Sequence, residues 1–480
     1  MAVEFEPVIG LEVHAQLRTR TKIFCGCPAV FGAAPNTHVC PVCLGLPGAL
    51  PVLNREAVAM AVRAGLALGC SIRARSRFAR KNYFYPDLPK GYQISQYDEP
   101  LCEDGALDVP QADGTLRRVG IQRAHMEEDA GKNLHGAGAT QHASLVDLNR
   151  AGVPLLEIVG RPEIRSAAEA AEYLRQLRAV LMFAGVNDGN LEAGSFRCDA
   201  NVSVRPRGSD RFGTRVEIKN INSFRFVQKA LEWEIAAQVA TLSAGGRVEQ
   251  VTKTWDDVAG RCNLLRKKEG SDDYRYFPEP DLPPLSLTSA FLDEARAALP
   301  PLPQDRRRRY VDELGLAPAD ARVLTEHPAI AGYFDELTAL SGDARRASSW
   351  VCNVLKSDIA TDGLDARFPV TVAQLAGLFA RIDDGTISGK LAKDVYAEMA
   401  GTARTADAII DAKGLRVVTD EGAIEATLRA ILDASPKQLA AYRAGKKAIA
   451  GYFKGEAMKA TGGRADPRVL DAVLTRLLEG

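Results

Sequence analysis

The chain reads as an α/β (α+β) domain built around an antiparallel sheet, followed by all-α helical and tail domains, and three observations predict this. Strict alternation of apolar and polar residues recurs in the N-terminal part, at 8–17 and 197–206. Two amphipathic helical stretches punctuate those strands. A proline-rich stretch, FPEPDLPPL (277–285) with Pro300, Pro301 and Pro303, then separates them from an alanine- and leucine-rich remainder of helical periodicity.

VIGLEVHAQL (8–17) predicts the first strand. Val8, Gly10, Glu12, His14 and Gln16 share one face, while Ile9, Leu11, Val13, Ala15 and Leu17 take the core side. Ser166 and Glu169 predict a capping box for a helix carrying Leu174, Leu177 and Leu181, with Gly185 as its stop. In RCDANVSVRP (197–206) the apolar face is Cys198, Ala200, Val202 and Val204; the polar face is Arg197, Asp199, Asn201, Ser203 and Arg205. The turn RGSDRFG and TRVEIKNI (214–221), with Arg215, Glu217 and Lys219 facing one way, complete an antiparallel hairpin. Asn222 or Ser223 caps a second helix with Phe224, Val227, Leu231 and Ile235 on its buried stripe. Beyond the prolines, Leu375, Phe379 and Ile382 mark a helix stopped by Asp383-Asp384-Gly385. The expected division is a domain at 1–290 with an insertion at 25–43, a helical linker domain at 291–365, and a helical tail at 366–480.

Composition narrows the function class. At 480 residues the chain has room for two to four domains. Lys plus Arg equals Asp plus Glu, 61 each, so no global field announces a nucleic-acid partner; any such partner binds a local patch. One candidate is Lys437–Arg476, with nine basic residues against three acidic ones. It is either a solvated helix face or a phosphate-backbone surface. No apolar run approaches the ~20 residues of a membrane span, and MAVEFEPVIG has no secretory pattern. A cytoplasmic protein is expected, its nine cysteines being thiols or metal ligands.

Two patterns carry chemistry. Cys25-Gly-Cys27, followed by Cys40-Pro-Val-Cys43, is a four-thiolate set suited to tetrahedral Zn²⁺, with His38 as a substitute for one thiolate. Four filled positions leave no place for water, so such a zinc is structural. The second pattern is acidic. Glu12 and His14 lie two apart on one strand face, and Glu217 lies on another strand. Between them, HMEEDAGKNLH and SLVDLNRAGVPLLEIV thread Glu127, Glu128, Asp129, Asp147 and Glu157 through strand-like sequence. Carboxylates in such a setting point either to a site for a hard cation such as Mg²⁺ or to a solvated strand edge and loop. Nucleotide-binding loops are absent: there is no G-x-x-x-x-G-K-[ST] and no G-x-G-x-x-G after a strand.

Several runs together closely resemble the B subunit family of the aspartyl/glutamyl-tRNA(Asn/Gln) amidotransferases (GatB/GatE). They are VIGLEVHAQL, KNYFYPDLPKGYQISQ (81–96), HMEEDAGK, SLVDLNRAGVPLLEIV, GSFRCDANVSVRP, EIKNINSF and DYRYFPEPDLPPL, in order across residues 8–285. GTISGKLAKDVYAEM and MKATGGRADP resemble the family's helical tail. The resemblance implies a glutamine synthetase-like cradle domain and a tail that grips tRNA. It implies phosphorylation of the side-chain carboxylate of mischarged Glu-tRNA(Gln) or Asp-tRNA(Asn) with ATP and Mg²⁺, then amide formation with ammonia. Carried over by position, the Mg²⁺ ligands fall on Glu12, His14, Glu128, Glu157 and Glu217. Lys81 matches a family lysine near the site, so Glu12, His14, Glu128 and Lys81 are the expected catalytic set.

Periodicity and resemblance disagree at one point. On a regular strand Arg123, His125 and Glu127 share a face and Glu128 points away; a bulge near Met126 would bring Glu128 round. The expectation follows the family and names Glu128, with Glu127 in reserve. No Gly/Ser-rich amidase signature and no G-x-C-x-G is present. A glutaminase (amidase) A subunit and a small C subunit are therefore implied as partners in a heterotrimer. Two other readings compete: a zinc-stapled tRNA-binding scaffold without kinase activity, and a free-standing ATP-dependent amide ligase for a small metabolite.

Overall fold

The computed structural model describes residues 3–135, 143–267, 274–418 and 420–479. Its first compact unit runs from Met1 to Arg307 with the short returns Thr325–Pro328 and Asp362–Leu364; the second takes the remainder to Gly480.

The alternating sequence at the N-terminus becomes β1 (Phe5–Gln16), whose Ile9, Leu11, Val13 and Ala15 are almost wholly buried. Next in the chain come helix α1 (Arg55–Ala67) and the short strands β2 (Ser71–Ile72), β3 (Arg75–Ser76), β4 (Ala79–Asn82) and β5 (Tyr92–Ser95). Two long strands follow, β6 (Cys102–Pro110) and β7 (Leu116–Glu128), then the pair β8 (Lys132–His135) and β9 (Ser144–Asp147). After β10 (Pro154–Gly160) the chain forms α2 (Ala167–Phe183), β11 (Phe196–Pro206), β12 (Val216–Lys219) and α3 (Phe224–Ser243). The strands β13 (Val251–Asp256), β14 (Arg261–Lys267) and β15 (Phe277–Pro278) complete the sheet, and β16 (Leu285–Ser286) pairs with β3.

The sheet path is β14-β13-β12-β11-β1-β10-β7-β5-β4-β15, with β6 joining on β7 and β2 on β6. Every pairing is antiparallel except β12 with β13, which α3 separates in sequence. That is the crossover a parallel pair needs. The hairpin expected from 197–221 forms with Asn201 opposite Glu217. Gly213 in its turn lies against the strand: a Cβ there would fall 2.1 Å from the Val204 carbonyl oxygen, so any side chain forces the turn open.

One face of the sheet is apolar, and α1, α2 and α3 cover it with Val58, Leu174, Leu177, Val227 and Leu231 in a single core. Ser166 caps α2 by accepting from Glu169 N at 3.1 Å. The reciprocal half of the expected box is displaced, because Glu169 Oε2 accepts from Arg165 N at 2.9 Å and pairs with Arg117. Ser223, not Asn222, caps α3.

The second unit is helical. A core of Tyr310, Phe334, Leu375, Phe379 and Val395 draws on residues either side of position 365, and a separate core gathers Ile424, Leu428, Phe453, Leu470 and Leu474. The first unit runs on to Arg307, and one core of the second draws on residues from both sides of position 365. Within that core, apolar residues of 310–355 and 370–410 bury each other. Among the described residues, no helix is long and apolar enough to cross a membrane.

Candidate functional site

The face of the sheet opposite the helices carries the acidic residues. Pairing register decides which of them meet. His14 lies opposite Glu157 on one side and Arg197 on the other; Glu12 lies opposite Asp199; Glu157 lies opposite His125. Directly opposed residues share a face. His14 Nε2 is 3.4 Å from Glu157 Oε2 and 3.9 Å from Glu127 Oε1. One ligand atom from each of His14, Glu127 and Glu157 lies within 4.8 Å of the other two.

Burial, then repulsion from Glu157, raises Glu127 to about 7. Burial works against ionisation of Glu157 as well, but His125, His14 and Lys81 outweigh it and hold its carboxyl well below the ordinary range. His14 is raised: burial opposes its charge, and the Glu157 hydrogen bond with the Glu157 and Glu127 charges prevails. His125 is pushed down to about 4 by burial, against the pull of the Glu157 charge, and its buried Nδ1 has no hydrogen-bond partner among the described residues. Lys81 is raised against the cost of its burial by Glu127, Tyr276 and Glu157, so its ammonium faces the cluster fully charged. Ser95 Oγ donates to Glu127 Oε2 at 3.2 Å.

Glu12 and Glu217 belong to the same face but stand off the cluster. Glu12 accepts from Asn201 Nδ2 at 2.9 Å and is raised by burial and by Glu157. Two strand spacings from β1, Glu217 accepts from Thr252 Oγ1 at 2.9 Å, and Lys219 bridges it to Asp199. At the end of β1, Asp129 is fixed by Gln16 at 2.8 Å and Arg197 at 2.9 Å.

Glu128 is elsewhere. β7 runs regularly to its last residue, with Glu128 opposite Pro154 and Glu127 opposite Leu155, and the only register shift falls at Val159/Gly160. Without a bulge near Met126, successive side chains take opposite faces. Glu128 accordingly accepts from Ile94 N at 2.8 Å and pairs with Lys90 on the reverse of the sheet. The structure thus brings Glu127 beside His14 and Glu157, and places Glu128, the residue expected there, on the reverse face.

The cysteine segment lies on that reverse side. Sγ atoms of Cys25, Cys27, Cys40 and Cys43 lie within 4.8 Å of one another, and the Cys40–Cys43 pair is 3.9 Å apart. Tetrahedral zinc with bonds of ~2.3 Å sets its sulfurs about 3.8 Å apart, so the set fits the metal without His38. Cys43 is pushed down to about 4 by the Cys25 thiol; against burial, the Cys40 amide and the Lys22 charge lower it further. Lys22 is completely buried, donating to the His38 carbonyl at 2.7 Å with Cys43 Sγ 3.5 Å from its Nζ. Asp147 accepts from Asn36 N at 3.1 Å and Asn149 accepts from His38 N at 2.8 Å, tying the segment to the loop before β10. A cavity of about 100 Å³, lined by Cys25, Cys43, Lys22, Lys90 and Glu128, lies between the cysteines and the sheet.

The family model for the GatB/GatE catalytic domain matches residues 7–293, and that for the GatB domain matches 332–478. The chain is 52% identical over 481 residues to the B subunit of the aspartyl/glutamyl-tRNA(Asn/Gln) amidotransferase of Syntrophotalea carbinolica, covering 100% of both chains. The chain belongs to this B subunit family. It is similarly 51% identical over 483 residues to the B subunit from Geobacter sulfurreducens, again with 100% of each covered. The B subunit from Halorhodospira halophila is 52% identical over 482 residues, with both chains wholly covered. The GatB/GatE match takes in the sheet, the cluster and the cysteine segment. The motif DYRYF starts at Asp273, outside the described residues.

Sequence reading gave no site role to Lys22, Asp199, Lys219 or Tyr276. Asp199 and Lys219 carried a signal, lying on the polar faces of two paired strands. Lys22 carried none, since nothing local distinguishes a buried lysine from a solvated one.

Three outcomes are expected. Calorimetric titration with Mg²⁺ shows binding lost in Glu127→Gln and kept in Glu128→Gln; the opposite pattern restores Glu128 as a ligand. Because binding displaces the proton that Glu127 holds below its pKa of about 7, wild-type Mg²⁺ affinity is about tenfold weaker at pH 6 than at pH 8. His14, also raised, acts in the same direction. Elemental analysis finds one zinc per chain, lost in Cys43→Ser with a lowered melting temperature; metal-free protein after anaerobic purification rules the zinc out.

Proposed function

We propose that this chain activates the side-chain carboxylate of Glu-tRNA(Gln), Asp-tRNA(Asn) or both with ATP, then converts it to the amide with ammonia. The observation that carries the reading is the His14–Glu127–Glu157 cluster, in a chain matched over its whole length by amidotransferase B subunits. A carboxylate is a poor acyl donor because its oxygen will not leave as oxide. In the first step a carboxylate oxygen attacks the γ-phosphorus of ATP and ADP departs. In the second, ammonia attacks the acyl carbon, inorganic phosphate leaves, and the amide nitrogen loses a proton to solvent.

His14, Glu127 and Glu157 would hold Mg²⁺, with Glu12 and Glu217 available to further cations along the same face. The cation supplies charge compensation for the phosphates and the transferring group. Lys81 holds a fixed positive charge beside the cluster, where a second anion has to approach two carboxylates. The sheet, lined with acid on one face and packed on helices at the other, serves as a glutamine synthetase-like cradle, and the basic helical tail grips tRNA.

Lacking a glutaminase motif, the chain takes ammonia from a glutaminase A subunit, with a small C subunit completing a cytoplasmic heterotrimer. The four thiolates hold structural zinc. With those partners, ADP forms from ATP only when mischarged tRNA is supplied. Equal ADP formation with free glutamate overturns the tRNA substrate, and full activity of Glu127→Gln overturns the placing of the reaction at this cluster.

A further inference from the structure

One border of the cluster is made of aromatic rings. Tyr276, just before β15, lies within electrostatic reach of Lys81, Glu127 and Glu157. Tyr97 stacks on it with centroids 4.1 Å apart and planes 8° from parallel. Tyr97 is 49% exposed, so the stack runs from the carboxylates out to solvent. Tyr274 meets Tyr276 edge-on at 6.2 Å, and the Lys81 ammonium lies 5.1 Å from the Tyr274 ring. The loop after β4 adds Phe84, which is 87% exposed. Clustered exposed rings beside a polar site mark a contact surface.

What this surface contacts follows from the substrate, so the inference rests on the proposed aminoacyl-tRNA reading. In a glutamyl or aspartyl ester the side-chain carboxyl is joined to the terminal ribose by a handful of single bonds, spanning roughly 6–7 Å on ordinary bond lengths. With the carboxyl at His14, Glu127 and Glu157, the terminal nucleotide has to rest on the surface bordering that cluster. The β11–β12 border sets three carboxylates, Asp199, Glu12 and Glu217, against the one ammonium of Lys219, an excess of acid that repels a phosphodiester. The opposite border offers stacked rings beside a lysine. Base–ring stacking is indifferent to sequence, as recognition of a 3′ end shared by different tRNAs requires.

We propose that Tyr97 and Tyr276 form the stacking platform for the unpaired 3′-terminal nucleotide of the substrate tRNA, Tyr97 presenting its outer face to the base. Continuity with the carboxylate cluster favours RNA over a protein partner, since the substrate has to reach that place and a protein partner does not.

The test uses the full-length chain and a tRNA whose 3′-terminal base is 2-aminopurine. Binding to wild type and to Tyr97→Phe quenches the fluorophore several-fold. In Tyr97→Ala the quenching is lost, and in the assembled enzyme the KM for aminoacyl-tRNA rises about tenfold, the scale of one lost base–ring stack. Thermal melting verifies that Tyr97→Ala, a half-exposed position, stays folded. Unchanged quenching and KM in Tyr97→Ala overturn the platform while leaving the substrate reading intact. Intact quenching with failed assembly of the complex makes the rings a protein interface and overturns it too. If wild type forms no tRNA-dependent ADP, the substrate reading fails and the platform falls with it.

Discussion

Two carboxylates and an imidazole within 4.8 Å of one another on a buried sheet face are the constraint around which the first unit is organised. Like charges at about 4 Å repel by roughly 4 kcal/mol at the effective dielectric of a protein edge, comparable to the net stability of a small domain. The strands tolerate this because opposite charge is brought from several directions: His14 from the neighbouring strand, Lys81 from across β5, and a proton on Glu127 near neutral pH. A carboxylate that holds a proton near neutral pH can exchange it for a cation.

β7 connects that face to the cysteine segment. Glu127 and Glu128 are consecutive, so the strand's pleat sends one to the carboxylate cluster and the other to Lys90 and the cavity behind the cysteines. The loop before β10 works likewise. Asp147 and Asn149 grip the cysteine segment, and Glu157, a few residues on, faces His14. The thiolate set has a reason to be structural: the segment around it has almost no regular hydrogen-bonded structure to order it.

Much of this was legible in the chain itself. The alternation of β1 and β11 correctly sorted their core and polar faces, because a two-residue period maps directly onto side-chain direction. The cysteine spacing brought out the thiolate set, since ligands on one short segment meet whatever the rest of the fold does. Periodicity also assigned Glu127 and Glu128 to opposite faces correctly, whereas the resemblance named Glu128, the one that faces away from His14. The helix caps at Ser166 and Ser223 were local enough to read, although the partner of Glu169 was not.

The sequence by itself determined which residues can share a strand face, where helices begin, and which thiols can meet, all interactions that close within a few residues. Only the tertiary structure decided that Glu127 and Glu157 converge on His14, that Glu12 and Glu217 stand apart beside Asp199 and Lys219, and that Lys22 is buried beneath the cysteines. These depend on strand order and register across more than a hundred residues. A one-residue slip would turn each carboxylate to the other face, and only the packing of the apolar face against α1, α2 and α3 forbids it.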